Sequence, residues 1–271
     1  MTKTIAFFDS GIGGLPYLIH LKNIKPDFNY VYLADTANFP YGIKSGEMIK
    51  EIVLSAISRF IEITAPDVVV IACNTASVIT LPYLREKFAV PFIGVVPAVK
   101  PAASMSENKR IGLFATNKTV SDNYTDNLIS QFAGNCEVYK YADSNIVSFI
   151  ETKMFESDKK QILDFLRPAA EFFIEKDVDH VVLGCTHFLF IDDILEDLFP
   201  PQIKTISSRE GVSRQILHIL GESNAAAGGS IKNNQVEADN AKNCFYVTSE
   251  TNREYYKKVA AAFRLQFAGV I

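Results

Sequence analysis

Val68-Val-Val-Ile-Ala72 runs directly into Cys73-Asn74-Thr75, and Val181-Val-Leu-Gly184 runs directly into Cys185-Thr186-His187. Each is a short apolar run without polar alternation, the pattern of a parallel strand buried on both faces. Each ends in a thiol followed by small polar residues. Outward from this echo, further strands are expected at 4–8, 30–34, 92–96, 111–115, 138–141, 204–206 and 245–248, beside 68–72 and 181–184. Helical periodicity fills the gaps. Met48, Ile49, Ile52, Val53, Ala56, Ile57, Phe60 and Ile61 form one apolar stripe. Ser121-Asp-Asn-Tyr124 holds a cap candidate ahead of Leu128, Ile129 and Phe132, and Ile162, Phe165, Leu166, Ala169, Phe172 and Phe173 outline a helix bent at Pro168. Strands alternating with helices give the α/β class, with doubly wound and mostly parallel sheets.

The chain has 271 residues, too many for a disulfide-stapled peptide, and 48% of them are apolar, enough for an ordinary core. With 27 Lys+Arg against 31 Asp+Glu the net charge is −4, and there is no basic tract. Nucleic acid and anionic membrane are therefore poor partners, and a small molecule is the better expectation. The run Ile5-Ala-Phe-Phe8 stops at Asp9, too short for a signal peptide or a membrane span, so the expected location is the cytoplasm. In that reducing compartment Cys73, Cys136, Cys185 and Cys244 are thiols or metal ligands. Composition shifts at Val96-Pro97-Ala98-Val99-Lys100-Pro101 and at Ser207-Ser208-Arg209-Glu210-Gly211 divide the chain. Residues 221–243 lack apolar periodicity and read as a mobile loop without catalytic groups.

In open α/β sheets, ligands bind beyond the carboxyl ends of the strands, where helix N-termini present N–H groups. Cys73 and Cys185 both fall there, and Asn74, Thr75 and Thr186 can add hydrogen bonds to a carboxylate. One buried cysteine often only fills space. Two in the same setting argue for chemistry, and Cys136 and Cys244, which lack the setting, read as structural. His187, two residues after Cys185, is a titratable neighbour able to shift that thiol's ionisation. Asp9-Ser10-Gly11-Ile12-Gly13-Gly14 ends another strand, and its glycines allow close backbone approach. It lacks the Gly-Lys-Ser/Thr ending of a phosphate loop and misses the dinucleotide fingerprint. Asp9 either caps the next helix or orients and accepts a proton from a nearby thiol. Asp35-Thr36-Ala37-Asn38-Phe39-Pro40-Tyr41-Gly42 forms a shaped loop, a capped turn or a binding element.

Taken together, Asp9–Gly14, Ala34-Asp35-Thr36 through Pro40-Tyr41-Gly42, Ala72-Cys73-Asn74-Thr75-Ala76-Ser77 and Gly184-Cys185-Thr186-His187 resemble the glutamate racemases. The order is right across most of the chain. Ile111-Gly-Leu-Phe-Ala-Thr116 with Thr119-Val120, and Glu151 in Val147-Ser-Phe-Ile-Glu151, add support. The resemblance implies two α/β domains facing across a central cleft, 1–97 plus 208–271 and 98–207. It also implies a cofactor-independent, metal-free isomerase that makes D-glutamate for peptidoglycan, and a homodimer. Cys73 and Cys185 would be the catalytic bases, with Asp9 and His187 assisting. Asp9, Ser10, Tyr41, Gly42, Asn74, Thr75, Thr116, Thr119, Glu151, Thr186 and His187 would contact substrate. Phe188-Leu189 and Ser207-Ser208 depart from the common family pattern and are expected to alter the rim of the site.

Inverting an α-carbon needs proton removal on one face and delivery on the other, so two acid–base groups must straddle it. A thiol near its ordinary pKa is only a few per cent ionised at neutral pH, and helix N-termini or cations can lower it. Competing readings are an aspartate or other amino-acid racemase, a non-catalytic two-domain amino-acid binder, and a metal site built from Cys73, Cys185, His187 and Asp9. A cysteine phosphatase is disfavoured, since no Arg follows either thiol at short spacing.

Overall fold

The computed structural model describes residues 2–222 and 243–271. The loop expected over 221–243 lies, apart from its ends, outside the described residues. Ten strands are present there: β1 (Thr4–Asp9), β2 (Asn29–Ala34), β3 (Val68–Ile71), β4 (Phe92–Gly94), β5 (Arg110–Ala115), β6 (Glu137–Ala142), β7 (His180–Leu183), β8 (Lys204–Ile206), β9 (Asn243–Val247) and β10 (Gln266–Val270). They form two wholly parallel sheets, ordered β10-β9-β2-β1-β3-β4 and β6-β5-β7-β8.

Nine strands fall within a few residues of their expected positions. β10 was not expected. Its Gln266-Phe-Ala-Gly-Val270 stretch is a partly exposed edge strand, with a register shift between Phe267 and Gly269 and Gly269 at φ +117. A glycine at a bulge argues locally against a strand, and only pairing with β9 overrides it.

The helix Gly46–Thr64 starts where Ser45 accepts a hydrogen bond from the Met48 N–H and ends at Ala65 in the left-handed region, φ 42. Ile49, Val53, Ile57 and Phe60 are fully buried on one face, contributing roughly 1.5–3 kcal/mol each. Met48 does not belong to that stripe. It lies in the first turn, rotated into solvent. Within Ser121-Asp-Asn-Tyr124 the cap of the helix Asn123–Phe132 is Asp122, whose carboxylate accepts from the Tyr124 N–H. The helix Lys159–Glu175 runs through Pro168 and opens with a capping box between Asp158 and Gln161. Among the described residues no helix is long and apolar enough to cross a membrane.

Strand order fixes where chemistry can sit. In the first sheet the chain leaves β1 toward β2 and then returns to β3 on the other side, so the crevice opens between the ends of β1 and β3. In the second sheet the same reversal lies between β5 and β7. Asp9 closes β1 and Cys73 follows β3, while Thr116 follows β5 and Cys185 follows β7. Both thiols therefore stand at switch points.

Candidate active site

Cys73 occupies the N-cap position of the helix Asn74–Lys87, and Cys185 holds the same position on the 3-10 turn Thr186–Ile191. Both are extended at that residue, with φ near −133, as the strand-to-helix transition requires. Asp9 is wholly buried and does not cap the following helix, which begins at Leu15 behind Gly14. Its carboxylate instead accepts the Gly11 N–H at 2.9 Å and the Ser10 hydroxyl at 3.1 Å, and Thr186 Oγ1 donates to it at 2.9 Å. Ser10 Oγ lies 3.8 Å from Cys73 Sγ, so one serine links this carboxylate to one thiol.

The other thiol has a matching chain. Cys185 Sγ lies 4.0 Å from His187 Nδ1, and His187 Nε2 meets Glu151 Oε2 at 2.9 Å. The same Glu151 oxygen accepts the Ile12 N–H at 3.1 Å. Asn74 Nδ2 donates to the Gly184 carbonyl at 2.7 Å, joining the two thiol-bearing turns directly. The glycines explain how the halves approach so closely. A Cβ on Gly11 would lie 2.5 Å from Glu151 Oε2, and one on Gly13 would collide with the His187 ring and sit 2.6 Å from Thr186 Oγ1. This loop is therefore glycine-rich to admit the facing side chains, not phosphate.

Burial dominates the electrostatics. It pushes the Asp9 carboxyl up to about 6 against the lowering influence of His187, the Gly11 N–H and Thr186. Burial alone would lower His187, yet its hydrogen bonds to Cys185 and Glu151, with the nearby charge of Asp9, hold the imidazolium well above its ordinary range. Cys73 moves opposite to the expectation for a thiol at a helix N-terminus. Burial and the Asp9 charge push it well above the usual thiol range, outweighing the Ala76 N–H and the Ser10 hydroxyl.

The loop over 35–43 is held by Asp35, a buried carboxylate that accepts from Tyr41 Oη at 2.5 Å, Asn38 Nδ2 at 3.0 Å and Thr248 Oγ1 at 2.6 Å. Tyr41 is thus committed to the loop, while Gly42 faces open space. Thr116 and Thr119 hydrogen-bond each other at 3.0 Å, with Thr116 capping the helix Asn117–Val120. Asn74, Thr75 and Thr119 line a small cavity with Val78, Pro97 and Lys118. Asn74 Oδ1 is buried without a hydrogen-bond partner among the described residues.

Phe188 does not shape the rim: it is fully buried, its ring 4.5 Å from that of Phe114, and Leu189 packs on the same core. Ser208 Oγ meets Tyr17 Oη at 2.8 Å and Ser207 Oγ accepts from Arg209, so this pair secures the crossing between the sheets. Among the described residues no three His, Cys, Asp or Glu side chains are placed to hold a metal, so the four-ligand alternative lacks its geometry. Two tyrosines carried no sequence signal. Tyr32 Oη donates to the Gly11 carbonyl and accepts the Gly14 N–H, and Tyr256 Oη donates to Glu151 Oε1 at 3.0 Å. Tyr32 lies within the strand expected at 30–34, and Tyr256 lies on the helix Arg253–Ala262, where the sequence singles out no residue.

The profile of the Asp/Glu/hydantoin racemase family matches residues 20–210. The glutamate racemase of Shewanella sp. strain MR-7 is 41% identical over 225 residues, 82% of this chain and 81% of that protein. The Escherichia coli glutamate racemase in complex with L-glutamate and the activator UDP-MurNAc-Ala superposes with a TM-score of 0.84 at 32% identity, covering 100% of this chain and 97% of that one. The Francisella tularensis glutamate racemase in complex with D-glutamate gives 0.73 at 27% identity, with coverage of 100% and 97%. By sequence along its length and by fold, the chain belongs to the Asp/Glu/hydantoin racemase family.

Proposed function

We propose that this racemase interconverts L- and D-glutamate by proton transfer between Cys73 and Cys185, without a cofactor. The observation that carries the reading is the pair of strand-end thiols at the two switch points, each backed by its own buried carboxylate chain: Ser10–Asp9 behind Cys73 and His187–Glu151 behind Cys185. Relatives holding L-glutamate in one case and D-glutamate in another support glutamate as the substrate. In the resting enzyme Cys73 is the acid. Cys185, with the His187 imidazolium beside it, is the base that removes the α-proton from one enantiomer. Cys73 delivers a proton to the opposite face, and the roles reverse for the other enantiomer. The carbanion-like transition state is met by the Thr75 hydroxyl and the second amide N–H of Asn74, since the Ser10 and Thr186 hydroxyls donate to Asp9 and hold that carboxylate in place. Asn74 takes a further part beside the one its sequence position suggests: one amide N–H is held by the Gly184 carbonyl, and its buried Oδ1 accepts from the substrate ammonium. That contact relieves a buried acceptor worth about 1–3 kcal/mol.

In this reading 1–97 with 208–271 and 98–207 are two domains closing on the substrate, and the enzyme works in the cytoplasm as a homodimer supplying D-glutamate for peptidoglycan. Cys73→Ser and Cys185→Ser, assayed by circular dichroism with each enantiomer in deuterated water, provide the test. Racemisation falls by at least about a thousandfold in both, because a serine hydroxyl is a far weaker base at neutral pH. Near-normal turnover in either variant refutes the two-thiol scheme. Activity on L-aspartate matching that on L-glutamate would favour the aspartate alternative, and absence of α-deuteration would favour a binding protein.

A further inference from the structure

We propose that Tyr256, near the far end of the chain, is a positioning residue for this site: its hydroxyl fixes the Glu151 carboxylate that orients His187 beside Cys185. The inference rests on the racemase reading of the Glu151–His187 pair. Glu151 is 2% exposed, and three donors hold it. Tyr256 Oη reaches Oε1 at 3.0 Å, while the Ile12 N–H and His187 Nε2 share Oε2 at 3.1 and 2.9 Å. Among the described residues, Oε1 has only the tyrosine. Without that hydroxyl the carboxylate is free to rotate about its last bond, and His187 loses a fixed acceptor.

The geometry is built to last. Tyr256 lies on the helix Arg253–Ala262 with its ring stacked over Phe245, centroids 6.4 Å apart and planes at 21°, and Phe245 stacks in turn on Tyr32 at 5.3 Å. Burial and the Glu151 charge hold the phenol well above its usual range, so it remains a donor at every assay pH. The neighbouring Tyr255 supplies an internal control. Its ring packs edge-on against Tyr256 at 5.4 Å, yet its buried hydroxyl has no hydrogen-bond partner among the described residues.

The charged and titratable groups around the pair come from several elements. Asp9 and Cys185 face His187, Asp9, Tyr32, Tyr255 and Tyr256 face Glu151, and Glu156 faces Tyr255. Losing a donor makes the carboxylate more electron-rich, so it binds the imidazolium proton more tightly. Tyr256→Phe, which keeps the ring, is expected to lower kcat about tenfold with KM little changed. It is also expected to move the loss of the His187 proton upward by about one pH unit, read from the kcat–pH profile and from the imidazole NMR titration. Tyr255→Phe should leave both unchanged. A Tyr256→Phe profile that superimposes on wild type, or an equal shift in Tyr255→Phe, overturns the assignment. Glu151→Gln separates the two levels of failure. If it is impaired while Tyr256→Phe is not, only the role of Tyr256 falls; if Glu151→Gln keeps wild-type turnover and profile, the site reading itself falls.

Discussion

Gly13→Ala tests the claim that the glycine-rich loop exists to let the two halves of the site meet. The added methyl would collide with the imidazole of His187 and lie 2.6 Å from Thr186 Oγ1, about 0.8 Å inside ordinary contact. Neither neighbour can swing away cheaply. Both side chains are 2% exposed, and each is engaged, Thr186 with Asp9 and His187 with Glu151. Overpacking of this kind costs about 1–3 kcal/mol, and breaking the Thr186 bond to a buried carboxylate adds about 1.5–3 kcal/mol if the threonine moves. A net loss near 3 kcal/mol lowers Tm by about 10 °C in a chain of this size. Displacing His187 and Thr186 by most of an ångström should also reduce kcat/KM about a hundredfold. Gly211→Ala is the matched control: a Cβ there meets nothing within 4 Å, on the exposed side of the helix Arg209–Ile219, so stability should rise by about 0.5–1 kcal/mol with activity unchanged. A Gly13→Ala protein with wild-type Tm and kcat/KM within threefold of normal would refute the reasoning.

Asp9→Asn tests the buried carboxyl through pH. With the folded value raised to about 6 against an unfolded 3.8, the folded protein holds this proton more tightly. Stability from that group is fully present below about pH 4 and is lost as pH rises through about 6, a fall of about 3 kcal/mol that the Asn variant lacks. Urea midpoints across pH 4–7 for both proteins measure it, and parallel curves would contradict the burial of Asp9. Tyr41→Phe removes the hydrogen bond donated to Asp35 Oδ2, leaving that oxygen unpaired. The expected outcome is about 1.5–3 kcal/mol lost in denaturant titration and a higher KM as the 35–43 loop loosens; an unchanged KM would show that the loop does not meet substrate.

The sequence carried the sheets because parallel strands buried on both faces have little choice of composition: Val68–Ile71 and His180–Leu183 have no exposed residue. It carried the two thiols for a related reason. A strand end at a switch point is recognisable from the strand before it and the helix after it. What it could not carry was direction. Nothing in Cys73-Asn74-Thr75 says that burial outweighs the helix N-terminus in setting the thiol's proton affinity, because that depends on how the second sheet covers it. Phe188 reads as rim from its distance to His187 along the chain, but a 3-10 turn sends the two side chains different ways, one to Glu151 and one to Phe114. Tyr32 and Tyr256 are illegible for a deeper reason. A tyrosine on an apolar stripe is ordinary core, and only its hydroxyl, aimed by tertiary packing, distinguishes it.

The unequal surroundings of the two thiols bear on kinetics in a way that symmetry constrains. L- and D-glutamate have equal free energies, so the equilibrium constant of racemisation is one, and kcat/KM must be the same in both directions in the wild type and in every variant. Cys73 is backed by Ser10 and Asp9, whereas Cys185 is backed by His187 and Glu151, one chain anionic with a titrating carboxyl and the other an ion pair. The difference can therefore appear only as kcat and KM rising or falling together for one enantiomer relative to the other. A substitution on the His187 side, Glu151→Gln, should change the ratio of the two kcat values and leave the ratio of the two kcat/KM values at one. Substituting Asp9 should move the kcat ratio the opposite way. If both substitutions shift it in the same direction, the two carboxylate chains do not serve opposite thiols, and the division of the site into two arms is wrong.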